Sequence, residues 1–84
     1  MNLVDHEAID RAVAEGRIGQ RVGARLHQLK EIPDNFQGIA ADLAIAYVMA
    51  THGFSKGMAM DYVMIARGET DVIDIDADGK EHFV

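Results

Sequence analysis

DNFQGIAADLAIAYVMATH, residues 34–52, decides how the rest of this chain can be arranged. Asp34, followed three residues later by Gln37, is a capping-box pattern, which predicts a helix starting here. At helical spacing, Phe36, Ile39, Ala40, Leu43, Tyr47 and Ala50 fall on one face. Ala41, Ile45, Val48 and Met49 fall on the opposite face. A helix that is apolar on both sides must be covered on both sides, so it belongs at the centre of its domain. Gly53 supplies the stop.

The segments on either side are read as its cover. Upstream, Val4, Ala8, Ile9, Ala12 and Val13 recur at helical spacing, with Asn2 as a possible cap and Gly16 as the end. A second segment carries Ile18, Val22, Leu26 and Leu29 on one face and ends before Pro33. Gly19 and Gly23 weaken that helix by about 1 kcal/mol each relative to alanine, but they permit a close approach by another backbone. Downstream, Ser55 can cap a fourth helix whose inward face is read as Met58, Ala59, Tyr62, Ile65 and Ala66. Met60, Met64 and Arg67 then lie on the other side, and Gly68 ends the helix. Residues 72–76 and 80–84 read as two short strands around Asp78-Gly79, a dipeptide suited to a type I′ turn.

The expected fold class is therefore mainly α (α+β). One domain over residues 1–84 contains four helical segments and, at 71–84, a C-terminal β-hairpin packed on them. No internal repeat or linker divides the chain.

Composition limits the function. The chain has 84 residues, 49% of them apolar, and no cysteine. Such a chain builds one thin core, and thiol chemistry and disulfides are excluded. Asp42, His52 and Lys56 interrupt the longest apolar stretch, so no membrane span is expected. The acidic start MNLVDHEAID does not read as a signal peptide, which gives a cytoplasmic expectation. The net charge of −6 is unfavourable for nonspecific nucleic-acid binding. Residues 67–84 carry six Asp/Glu against two Lys/Arg, so the acidity is concentrated at the C-terminus.

Several motifs offer chemistry and then fail on context. Asp74, Asp76, Asp78 and Gly79 match the start of a calcium loop, but the position of its bidentate glutamate falls beyond Val84. Gly53-Phe54-Ser55-Lys56-Gly57 matches a nucleophile elbow, but a helix precedes it instead of a strand. Ser55 then caps a helix. His6, His27, His52 and His82 lack metal-binding spacing, and His6 with Asp10 reads as an i, i+4 surface pair. No cofactor, no metal and no catalytic set is expected.

Surfaces remain. Met60 and Met64, one turn apart on the outward side with Arg67 beside them, read as a contact patch for a protein partner or a second copy. With a two-residue loop, Asp76 faces Glu81 and Asp74 faces Phe83, so Asp74, Asp76 and Glu81 form a second, acidic patch for a basic partner. The expected function is non-enzymatic protein binding, as a small acidic regulator or inhibitor. In size and charge alone the chain is similar to phage-encoded inhibitors of host defence, including anti-CRISPR proteins. The alternative is a helix-turn-helix DNA-binding regulator over residues 43–67, whose outline that stretch resembles. Arg17, Arg21 and Arg25 would then meet the phosphates, and Lys56, near the start of the recognition helix, the base edges.

Overall fold

A central helix is present, and it begins seven residues later than its sequence signal. The computed structural model describes residues 2–68, 73–75 and 81–83, with side chains described over 3–68. Helix α1 spans His6–Ala14, α2 Gln20–His27, α3 Ala41–His52 and α4 Lys56–Arg67. Two-residue strands β1, Asn2–Leu3, and β2, Glu31–Ile32, pair antiparallel with Asn2 opposite Ile32. This clip ties the start of the chain to the segment that leads into α3.

Helix α3 touches α1, α2 and α4. It buries Leu43, Ala44, Ala46, Tyr47, Val48 and Ala50, which cover most of its circumference. Ile9 from α1, Leu26 from α2 and Val48 from α3 are the largest fully buried side chains. Each contributes roughly 1.5–3 kcal/mol by leaving water. Among the described residues no helix is long and apolar enough to cross a membrane.

The helix ends show which capping signals win. Asp5, not Asn2, caps α1: its carboxylate accepts from the Ala8 N–H at 3.1 Å. Asn2 lies in β1 instead. Ser55 caps α4 as expected, and Gly53 and Gly68 close α3 and α4 in the left-handed conformation. The Asp34/Gln37 capping box does not form. The Asn35 side chain accepts from the Gln37 N–H at 3.2 Å, and the Phe36 N–H donates to the Pro33 carbonyl at 3.0 Å. These local bonds make a turn, which competes with helix. Phe36 has a φ of 55° and Gly38 a φ of 81°, so the chain cannot be helical before Ala41.

Two larger expectations are corrected. The fold class is mainly helical, and no C-terminal β-hairpin belongs to it. The three-residue strands Ile73–Ile75 and Glu81–Phe83 set Asp74 opposite His82 and Ile75 opposite Glu81. That register is one residue away from the one an Asp78-Gly79 two-residue turn requires. The strands touch none of the described helices. An isolated pair of strands is at best marginally stable. The Asp78-Gly79 turn and the calcium-like loop lie outside the described residues.

Helix α4 turns only part of the expected face inward, Ala59 and the half-buried Ala66, and adds Val63 to it. Ala59 and Val63 are buried, whereas Met58, Tyr62 and Ile65 are 56%, 42% and 67% exposed. Small residues at the α3 contact let the two helices approach closely, and the larger side chains are displaced to the flank.

Candidate functional site

Helices α2, α3 and α4 leave an open groove of about 500 Å³ between them. Ile18 and Val22 line it on the α2 side, Ile45 and Met49 on α3, and Met60 on α4. Helical spacing explains the set. Ile45 and Met49 lie one turn apart on the α3 face that Tyr47 and Val48 leave uncovered, and both are half-buried. Arg17 and Lys56 stand on the rim, with Asp42 also at the edge.

The rim charges differ in how they are held. The Arg17 guanidinium donates to the Met49 carbonyl at 2.8 Å and to Glu15 at 3.1 Å, which fixes it over the last turns of α3. Arg25 pairs with Asp42 at 3.1 Å, and both are exposed, so the pair is worth under about 1 kcal/mol. Arg21 is exposed on α2, and Lys56 opens α4. Met60, expected on a different surface from Arg17 and Lys56, thus shares one groove with them.

The other expected contact residues are placed elsewhere. Met64 is half-buried one turn beyond Met60. Arg67 is half-buried, and its Nη1 donates to the Ile39 carbonyl at 3.4 Å. Its own carbonyl accepts from Gln37 Nε2 at 3.3 Å, so it joins α4 to the turn before α3. The side chains of Asp74, Asp76 and Glu81 lie outside the described residues. Ile18, Val22, Ile45 and Met49 carry no motif. Their signal is the second apolar face of α3, which the sequence shows without showing that it stays partly open.

A polar cluster joins α1 to α2 on another side. Asp10 contacts His27 Nε2 at 2.7 Å, and His27 Nδ1 lies 2.7 Å from His6 Nδ1. The ring planes differ by 12°, with centroids 4.9 Å apart. At that spacing the two Nδ1 atoms lie nearly on the line between the rings, so the rings meet edge to edge. A single proton between the two nitrogens completes this bond. The expected His6–Asp10 pair is replaced by one relayed through His27. Among the described residues no group of three or more His, Asp or Glu side chains is placed to hold a metal ion.

A second cleft, of about 420 Å³, lies between the α3 C-terminal half and the chain around β2. Phe36, Tyr47, His52 and Tyr62 are among its lining residues, together with Asp5 and Asp34. Comparison with protein-family models, with curated proteins and with solved structures gives no match.

Proposed function

We propose that this protein is a non-enzymatic binding module, a small regulator or inhibitor that docks on a protein partner through the α2/α3/α4 groove. The observation that carries this reading is an apolar floor left open beside one hydrogen-bonded cation, Arg17, and one exposed cation, Lys56. Ile45, Met49 and Met60 are all incompletely buried there, next to Arg17 and Lys56. The occupant that fits is an amphipathic helix of the partner, with its apolar stripe in the groove and acidic residues along one flank. Methionines suit such a site because their unbranched side chains adapt to the guest. A cysteine-free chain of this composition fits a cytoplasmic partner.

The test starts by placing a photo-crosslinking residue at Met60, with a control at Glu7, and identifying the protein captured from the native host. Titration of that purified protein is expected to show affinity reduced at least tenfold by Met60→Lys and unchanged by Glu7→Lys, with the helical circular dichroism of both variants intact. Equal affinity for wild type and Met60→Lys would overturn the reading. Capture of a second copy would make the occupant this chain itself. Salt-sensitive binding of duplex DNA lost in Arg21→Glu would favour the helix-turn-helix alternative.

A further inference from the structure

We propose that the second cleft is a binding site for an organic cation carried on an aliphatic stem. That chemistry belongs to the guanidinium or ammonium end of an Arg or Lys side chain, or to a free alkylamine. The inference rests on the binding-module reading only for the source of the cation; the site itself is separate from the α2/α3/α4 groove.

The walls are aromatic. Phe36 meets Tyr62 edge-on, with ring centroids 6.2 Å apart and planes at 70°, which makes a corner of two π surfaces. His52 extends the wall at 5.1 Å from Tyr62. Phe36 and Tyr47 are buried, so their positions are set before any ligand arrives. Such faces attract a cation within about 6 Å of the ring centre and also cover an aliphatic stem.

The polar groups have the matching sign. Asp5 is held in place because its N–H donates to the Tyr47 hydroxyl at 3.0 Å and its Oδ1 accepts from Ala8. Its second oxygen remains for a ligand. Neither lysine nor arginine is among the described residues lining the cleft. An anion would meet the Asp5 carboxylate there, and a neutral ligand would leave its field unused. The volume lies in the range of small-ligand sites, about 300–1,000 Å³.

The test is a two-dimensional amide NMR titration of the full chain with three probes. These are acetyl-Gly-Arg-Gly-amide, its citrulline counterpart and n-butylguanidine. The arginine peptide and butylguanidine are expected to shift the Thr51, His52 and Tyr62 amides saturably. The neutral citrulline peptide should bind at least tenfold more weakly. Asp5→Asn keeps a capping side chain while removing the charge, and with Tyr62→Ala it should weaken the arginine peptide about tenfold. If the peptide binds more tightly than butylguanidine, the site serves a protein side chain; the reverse order assigns a free amine. Equal binding of the citrulline peptide, shifts that map elsewhere, or no saturable shift would overturn the proposal. None of those results bears on capture at Met60.

Discussion

Gly23 lies where α2 presses on α1, and a Cβ added there would sit 2.6 Å from Val13 Cγ2. Valine is stiff about χ1, so it cannot swing aside without strain. Alanine would gain about 1 kcal/mol of helix propensity and lose about 1–3 kcal/mol to overpacking. Gly23→Ala is therefore expected to destabilise the protein by about 1 kcal/mol in chemical denaturation, and Val13→Ala in the same chain should reverse the sign of that change. A pair of variants that merely add would show that the contact is not tight. The sequence marks Gly23 as a place for close approach, but the neighbour is a side chain rather than a backbone. Asp5 offers a parallel case. Its cap on Ala8 makes Asp5→Ala cost about 1 kcal/mol, and urea denaturation should show it.

Helix ends and helix faces were legible to different degrees. The stops at Gly53 and Gly68 and the cap at Ser55 follow from residue chemistry acting over three or four positions, so the sequence displays them fully. The start of α3 is set by a competition between two local patterns, a capping box and an Asn35-centred turn, and sequence alone does not rank them. The inward face of α4 is legible only in part: Ala59 is buried as expected, but Val63 takes the place beside it that the larger Met58, Tyr62 and Ile65 were expected to fill, because packing distance favours the smaller side chains. The groove residues follow the same logic: their apolar character is visible, and their incomplete cover depends on where α2 and α4 cross α3. Between α1 and α2, the Asp10–His27–His6 chain joins two helices that are otherwise held by side-chain packing. His27→Ala removes both hydrogen bonds, while His6→Ala removes one. Thermal unfolding should rank them in that order, with about 0.5–1.5 kcal/mol per bond. If His6→Ala is the more damaging variant, the relay through His27 is wrong.

The buried apolar residues of the described structure all fall between Val4 and Val63, and the strand segments 73–75 and 81–83 touch none of the helices. Charge divides at nearly the same place. Residues 1–68 hold seven Lys/Arg and eight Asp/Glu, a net −1, so five of the six net negative charges lie beyond Gly68. The core of the described residues and most of the acidity thus lie in different parts of the chain. A chain ending at Gly68 keeps the α4 cap, because the Gly68 N–H still donates to the Ile65 carbonyl at 3.1 Å. Its helical circular dichroism and its midpoint of urea unfolding are expected to match those of the full chain within about 1 kcal/mol, since every buried apolar residue among those described is kept and self-repulsion falls. A hairpin packed on the helices would give the opposite result. Uncovering its apolar face would lower the midpoint and the slope together, since the slope follows the surface buried on folding. The same shortened chain separates the functional surfaces. Binding at Met60 should survive the truncation if the groove carries it, and should be lost if the acidic residues Asp74, Asp76 and Glu81 make the contact.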